Sequence, residues 1–451
     1  MNASAVLAAR ERRAAHKQQL LATWPCVISL SFNLPGLPKS TPHIQQAFAQ
    51  VAQSLEHFLC AQRQSMHRIE LRTDAAGDHL VLAGHPLQSA AALKTMTEQF
   101  EYEHALGRLL DVDVYETHGP VSSGKHKRCL LCEQPALVCM RTQRHPLSEL
   151  RMYCEQRLTQ WLQDQEKHHC TQTLAGCMTR ALLDEVLLTP KPGLVDRHDN
   201  GCHDDMDLSL FAHAISALSP FWERVAQQGW AFDGHHWSAA LIQLRLTGLE
   251  METTMHEATG GVNTHKGAIF LGCLLVFAYA HAWRVLKRSA PAHCRHTIAL
   301  LSKDLIVHDM AAFDRETSHG QRLLHMYRET EYGGPRHQAE NGLPGVFEVG
   351  LPAFKEALAT GLNHDQAAHH ALSVLMGNVL DTNVLHRSSL EITYAFMALA
   401  QRTSQELPTH EDATRALDAF CREHGLSPGG CADLLAMTLF FHYASDALPH
   451  S

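Results

Sequence analysis

The sequence predicts a multidomain chain, an α+β domain followed by a mostly α-helical domain. Two observations carry this. Before about residue 165, short apolar runs alternate with helical stretches, while from Thr171 onward long apolar-periodic segments dominate and few alternating β-branched runs remain. The second is length: 451 residues at 45% hydrophobic content allow more than one core.

In the first part, Cys26–Phe32 is an apolar run of strand length, and Pro35, Gly36 and Pro38 end it in a loop. Thr41 then caps a helix that runs through Cys60. His79–Ala83 suggests a second strand, Ala90–Gly107 a helix, and Leu109–Tyr115 alternates as a strand does. Leu147–His169 favours helix, and its charged end, Gln163–His169, reads as a linker. In the second part, Leu210, Phe211, Ala214, Ile215 and Leu218 share one helical face. Similar helices fit residues 267–287, 295–314, 366–380, 389–401 and 431–443, with Gly/Pro-rich polar loops between them.

The formal charge of −9 gives no basic footprint for nucleic-acid binding. Met1–Lys17 mixes Ala with Arg, Glu and Lys, which predicts an amphipathic helix rather than a secretory signal. The longest apolar stretch, Ala268–Ala280, is short against the ~20 residues that span a bilayer, so it predicts a buried helix and no membrane partner. Thirteen cysteines without a secretory signal suggest reduced thiols and a cytoplasmic protein.

Asp111-Val112-Asp113-Val114 carries the first chemical signal. On a strand, residues i and i+2 share a face, so Asp111 and Asp113 present two carboxylates while the valines face the core. Like charges this close favour a cation between them, and hard oxygen ligands suit Mg²⁺ bridged to phosphates. The bland reading is a solvated strand face. Downstream lie Ser122-Ser123-Gly124-Lys125 and Arg128–Cys132, then a basic group, Arg141-Thr142-Gln143-Arg144-His145, suited to phosphate. Cys129 and Cys132, with Cys139 and His145 nearby, fit either a zinc site or reduced structural thiols.

These segments, with Ile28–Leu30 and Asn33–Gly36, resemble the apo-citrate lyase phosphoribosyl-dephospho-CoA transferases over residues 1–165. The resemblance implies a nucleotidyltransferase-like domain with Asp111 and Asp113 as Mg²⁺ ligands, beside the Arg141 and Arg144 that their chemistry already suits to phosphate. It also implies transfer of a phosphoribosyl-dephospho-CoA unit to a serine of the citrate lyase acyl carrier protein, with release of pyrophosphate. Ser123-Gly124-Lys125 departs from the pattern, which has an arginine near the serine.

Four polar loops mark the second part. Thr189–Asp196 holds two prolines and cannot be ordinary helix; Asn200, Gly201, His203, Asp204 and Asp205 follow it. Thr259–Gly267 opens the apolar helix, and its glycines and helix start suit an anion. Asp381-Thr382-Asn383 follows a helix, with Arg387 one turn on, and Ser427-Pro428-Gly429-Gly430 precedes the helix that holds Asp433. Each loop alone reads as a turn or a cap; together they suggest one site.

From Thr171 to the C-terminus these motifs resemble triphosphoribosyl-dephospho-CoA synthases, so residues 171–451 are expected to form that domain. The resemblance implies that the ribose C1 of ATP is joined to the 2′-hydroxyl of 3′-dephospho-CoA and adenine leaves. It further implies a Gly-x-Arg-Gly-Glu-Ala stretch. Here Gly334–Glu340 keeps Arg336 and Ala339, with Gly342 beyond, while His337 and Gln338 depart; Glu340 or Glu331 then stands in for the missing glutamate.

Loss of adenine passes through an oxocarbenium-like state that needs a carboxylate and an acid. Asp196, Asp205 and Asp381 are the carboxylate or metal candidates, and His203 and His265 the acid/base candidates. Lys191, Lys266 and Arg336 are candidates for phosphate, with Gly260, Gly261, Asn263, Thr264, Asn383, Ser427, Gly429 and Gly430 lining the loops. The expected protein is a bifunctional transferase that makes and attaches the citrate lyase prosthetic group. A metal-dependent hydrolase of ribosyl nucleotides and a non-catalytic carrier-protein-binding module are the competing readings.

Overall fold

Cys26–Phe32 forms strand β1, with Cys26, Val27, Ile28 and Leu30 buried. A computed structural model describes residues 3–124, 127–303, 305, 334–405 and 411–448. Lys125, Glu331 and the end of the helix expected over residues 295–314 lie outside them. The chain divides into two compact units, Met1–Glu166 and Lys167–Ser451.

In the first unit, α1 is Ala3–Leu20, α2 is Pro42–Ala61, α3 is Ala90–Glu103 and α4 is Ala136–Arg141, and α5, Leu147–Leu187, begins there. Thr41 caps α2 as expected, its Oγ1 accepting from the Ile44 amide at 3.3 Å. The strands β1, β2 (Ser65–Asp74), β3 (Gly77–His85), β4 (Leu110–Glu116) and β5 (Gly119–Pro120) form one antiparallel sheet ordered β2-β3-β1-β4-β5. α3 ends sooner than its pattern predicts, at Glu103; His104 leaves the helix, and a short 3-10 turn, Gly107–Leu109, leads into β4.

One face of the sheet, with Ile28, Leu30, Leu80, Leu82, Val112 and Val114, packs with α2, α3 and the start of α5 into the unit's core. On the other face, Val27, Val81 and Ala83 pack with Leu20, Leu21 and Trp24 at the end of α1. Arg13 of α1 reaches Asp74 through two hydrogen bonds, 2.6 and 3.0 Å, and tethers the helix there.

The expected linker Gln163–His169 contains the division between the two units and is helical: α5 runs unbroken from Leu147 to Leu187. No Gly or Pro interrupts these residues, and Gln, Glu and Lys are good helix formers.

Every regular element among the second unit's described residues is helical. After α5 come α6 (Leu208–Ala231), α7 (Trp237–Thr259), α8 (Lys266–Leu286) and α9 (Pro291–Leu301). Then follow α10 (Gly334–Glu340), a π-helical turn Gly345–Gly350, α11 (Leu351–Ala359), α12 (His364–Asn378), α13 (Thr382–Arg387), α14 (Leu390–Ser404), α15 (Glu411–His424) and α16 (Gly429–Ala447). α8 and α16 are the central pair, apolar around most of their circumference and buried along most of their length. Each fully buried Leu, Ile, Val or Phe there contributes about 1.5–3 kcal/mol. At 21 residues α8 exceeds the expected apolar run and by length and composition alone could cross a bilayer; Ala268–Trp283 is almost wholly buried in the core instead.

α6 and α8 cross at close range because small residues line the crossing. A Cβ on Gly229 would lie 2.2 Å from the Phe277 carbonyl oxygen, and one on Gly272 would lie 2.9 Å from the Trp222 ring. Gly229→Ala therefore lowers stability by about 1–3 kcal/mol, through overpacking. Gly248, inside α7, has nothing within 4 Å of an added Cβ. Gly248→Ala raises stability by about 0.4–1 kcal/mol. Opposite shifts of the urea midpoint check the pair.

Candidate functional site

β4 places Asp111 and Asp113 on one face, opposite Ser31 and Ser29 of β1. Val112 and Val114 are buried on the other face, as the alternation requires. Both carboxylates line a cleft of about 330 Å³ with Arg10, Arg13, Lys17, Lys39 and His79. The cleft therefore sets two acids among cations contributed largely by α1.

The acids already have counter-charges. Lys127 Nζ bonds Asp111 Oδ1, and Lys94 Nζ lies 3.8 Å from Asp113 Oδ1. Burial opposes the charge on Lys127, but Asp111 and Glu101 carry its pKa above the ordinary lysine value. Burial lowers that of Lys17, against Asp113 and Asp111. Lys17 Nζ also bonds Tyr115 OH at 2.6 Å, and burial and Asp113 push that phenol up to about 12. The Asp111 and Asp113 side chains stay 38% and 41% exposed, enough for a ligand to reach their oxygens. Their hard oxygens on one face fit Mg²⁺.

The basic group at residues 141–145 does not act as a unit. Arg141 and Arg144 are exposed, but His145 turns to a cysteine cluster, with Nε2 3.4 Å from Cys132 Sγ.

In the second unit the loop after α5 folds around Asp196. Its Oδ2 accepts from the Lys191 amide at 2.9 Å, and its Oδ1 from the amides of His198 and Asp199 at 2.7 and 3.2 Å. Lys191 Nζ, buried, bonds Glu185 Oε1 at 2.6 Å. Gly193 takes φ +68°, and a Cβ there would lie 2.4 Å from the Leu426 carbonyl oxygen. Its amide donates to Asp418 on α15, and Arg422 joins Asp418 to Asp199. His203 Nε2 meets Ser427 Oγ at 2.7 Å. Burial and then Arg387 lower the His203 pKa, against Asp205 and Asp204. Asp205 itself is 66% exposed.

Three helix starts meet two buried acids. Asp381 caps α13, its Oδ1 accepting from the Asn383 amide at 2.8 Å, while Oδ2 accepts from the Cys431 amide of α16, also at 2.8 Å. Ser427 and the glycine pair are thus not side-chain caps of α16. Ser427 is held by His203, and Pro428 stands at the cap with no side-chain bond. Gly430 lets Asp381 approach: a Cβ there would lie 3.0 Å from Oδ2, and one on Gly429 would lie 3.1 Å from Asn383 Nδ2. Burial pushes the Asp381 carboxyl up, and the amides of Cys431, Asn383 and Val384 pull it back. Asp433 accepts from the Ala268 amide at the start of α8, and a Cβ on Gly267 would lie 1.9 Å from its Oδ2. Burial, then Glu185 and Asp381, push Asp433 well above the carboxylate range.

Lys191, His203, His265, Asp381, Asn383, Ser427, Gly429 and Gly430 therefore lie in a connected network with Glu185 and Asp433. Glu185 carried no sequence signal, and Asp433 only its place in an apolar helix. Gly334 brings α10 against Thr382, where an added Cβ would lie 2.8 Å from Cγ2, so the segment with Arg336 starts beside Asp381. Gln338, which departs from the expected motif, accepts from the Gly345 amide at 2.8 Å. Other selected residues point elsewhere. Lys266 is half exposed and pairs with Glu252 at 3.0 Å, its amide capped by Asn263. Gly260 and Gly261 have φ +65° and +94° and nothing within 4 Å of an added Cβ. A groove of about 600 Å³ lined by Arg180, His364, His442 and Tyr443 includes none of the selected residues.

Residues 171–450 match the model of the CitG family, ATP:dephospho-CoA triphosphoribosyl transferase, and residues 1–161 that of CitX, apo-citrate lyase phosphoribosyl-dephospho-CoA transferase. A protein CitXG of Haemophilus influenzae is 31% identical over 97% of this chain and 95% of its own length. One from Leuconostoc mesenteroides subsp. cremoris is 28% identical over 98% and 96%. A probable 2-(5''-triphosphoribosyl)-3'-dephosphocoenzyme-A synthase of Pectobacterium carotovorum is 36% identical over 60% of this chain and 88% of its own. Both family models describe transferases, so the chain is a bifunctional transferase. It belongs to the CitXG family, a fusion of a CitX part with a CitG part.

His265 supplies a pH prediction. It is buried, Nδ1 lies 2.9 Å from Thr264 Oγ1, and Nε2 has no partner among the described residues. Burial and then Lys191 depress its pKa to about 3. An unfolded histidine titrates near 6.5. Between these values the unfolded chain binds one more proton, so this contribution is full above about pH 6.5 and falls as pH drops, by about 1.4 kcal/mol per unit. Urea midpoints at pH 7, 6 and 5 should fall less steeply for His265→Gln than for the unaltered protein; parallel slopes would contradict the assignment.

Proposed function

We propose that the chain performs two successive transfers in making the citrate lyase prosthetic group. The second unit joins the ribose C1 of ATP to the 2′-hydroxyl of 3′-dephospho-CoA and releases adenine. The first unit then moves the phosphoribosyl-dephospho-CoA unit to a serine of the citrate lyase acyl carrier protein and releases pyrophosphate. The observation that carries this is the pairing of two distinct transferase matches with two units, each with its own acid-and-cation cluster.

In the second unit, breaking the C1–N bond sends an electron pair to adenine, which takes a proton, and the 2′-hydroxyl gives one up. Asp433 and Asp381 share a site where like charges oppose double ionisation, so one carboxyl holds a proton for the leaving base. The ionised partner stabilises the oxocarbenium-like centre. His203, held by Ser427, takes the hydroxyl proton. Burial keeps His265 neutral, so it orients groups by hydrogen bonding. Lys191 and Arg336 hold phosphate. Asp196 keeps Lys191 in place, since its oxygens are engaged by three backbone amides.

In the first unit, Asp111 and Asp113 hold Mg²⁺, which neutralises phosphate charge when bound. Lys127 stabilises Asp111 before substrate arrives, and Arg10 and Lys17 attract the triphosphate. Arg141 and Arg144 supply further cations. A ribosyl-nucleotide hydrolase is the rival chemistry, and it needs no dephospho-CoA.

Asp433→Asn should lower adenine release by on the order of 10²-fold or more, while preformed triphosphoribosyl-dephospho-CoA still labels the carrier. Asparagine keeps an oxygen for the Ala268 amide, so the fold survives. Asp113→Asn should do the reverse: carrier labelling falls by a similar order and adenine release stays. Loss of both activities in either folded variant would contradict two separate sites.

A further inference from the structure

Residues 127–146 form a segment with little core of its own. Leu130 is its one buried leucine, while Leu137, Val138 and Met140 are 55%, 45% and 72% exposed. Its regular structure amounts to one bridge, Arg128 to Pro135, and the six-residue helix α4, Ala136–Arg141. Segments this small fold stably when a disulfide or metal staples them.

Four side chains meet at its centre. The ligand atoms of Cys129, Cys132, Cys139 and His145 lie within 4.8 Å of one another. Cys132 Sγ is 3.5 Å from Cys139 Sγ and 3.4 Å from His145 Nε2. A tetrahedral zinc with Zn–S near 2.3 Å sets its ligand atoms roughly 3.8 Å apart. Bonded sulfurs sit at about 2.05 Å, so these thiols are free.

The backbone is arranged to present them. Cys129 and Cys132 bracket a tight turn whose Leu131 and Cys132 amides donate to the Cys129 sulfur. The Cys129 amide donates to Gln134 O at 2.8 Å, which closes the turn. α4 supplies Cys139, and Gln143 takes φ +48°, a left-handed turn that returns the chain toward His145. The Arg144 amide fixes that return on Cys139 O at 3.1 Å. Cys129 and Cys139 are buried, and Cys132 and His145 half-buried, so the set is closed by protein.

We propose that Cys129, Cys132, Cys139 and His145 bind a structural zinc ion. The ion closes on itself the segment that carries Lys127, Arg141 and Arg144. Three thiolates and one imidazole fill a tetrahedral shell, leaving no position for a substrate. Its role is positioning: Lys127 is held against Asp111 by a segment whose own apolar contacts are few.

The test is metal content of the full chain, purified without chelator and under reducing conditions. About one zinc per chain is expected, released by a mercurial thiol reagent into a chromophoric chelator. Cys139→Ser and His145→Ala should each lose most of it, while Cys60→Ser, an exposed thiol outside the cluster, should retain it. Co²⁺ loaded into the unaltered protein should give the visible absorption of a tetrahedral thiolate site, a readout independent of whether the variants fold. Adenine release should stay unchanged in Cys139→Ser, while carrier labelling falls. Substoichiometric zinc with all four groups reduced, no tetrahedral Co²⁺ spectrum, or a Cys132–Cys139 disulfide in the native protein would overturn the proposal.

Discussion

An α-helix begins with amides that have no carbonyl to bond, and in the second unit three such starts meet buried carboxylates. The carboxylates are those of Asp381 and Asp433. Asp381 serves α13 and α16 together, one oxygen to each, and Asp433 serves α8. Charged helix caps are ordinary at a surface, where water shares the cost. Burial pushes both carboxyls upward in pKa, and Glu185 and Asp381 add to the shift of Asp433, so the groups that close the fold hold a proton more tightly than exposed carboxyls do. Gly267 and Gly430 follow from the same constraint, because a side chain at either position would take the space of a carboxylate oxygen. The glycine-rich loops therefore serve acids on neighbouring helices as much as any anion.

The first unit handles paired acids in another way. A strand sets Asp111 and Asp113 on one partly exposed face, and lysines from three different segments approach them: Lys17 from α1, Lys94 from α3 and Lys127 from the loop. The acids stay accessible, and the balance of charge depends on where a loop with almost no core holds its lysine. That makes the cysteine–histidine cluster a matter of geometry in the cleft as well as of local folding.

Legibility in the sequence followed how much each residue reports about its own neighbours. Cys26–Phe32 and Leu110–Glu116 were readable because their apolar pattern faces a core. Ser65–Asp74 was not: it is an edge strand, mostly exposed and bulged near Arg68, so it carries no apolar alternation. Gln163–His169 looked like a linker by charge, yet nothing in it breaks a helix. The four polar loops were visible as glycine, proline and acid clusters, and the structure joins residues from each. Glu185 and Asp433 were hidden because a carboxylate inside a helix announces nothing until the partner helix is placed. Lys266 shows the converse, since a lysine at a helix start suggested an anion and the structure turns it to Glu252.

The central claim is that two transfers follow one another on this chain, with dephospho-CoA as the acceptor of the first. The most direct measurement incubates the unaltered protein with ATP, Mg²⁺ and apo-carrier, with and without 3′-dephospho-CoA, and follows adenine, pyrophosphate and carrier mass together. The account predicts adenine release only when dephospho-CoA is present. It also predicts a carrier mass gain equal to one phosphoribosyl-dephospho-CoA unit, matched mole for mole by pyrophosphate. Adenine released at the same rate without dephospho-CoA, with free ribose triphosphate as the product and no change in carrier mass, would contradict it.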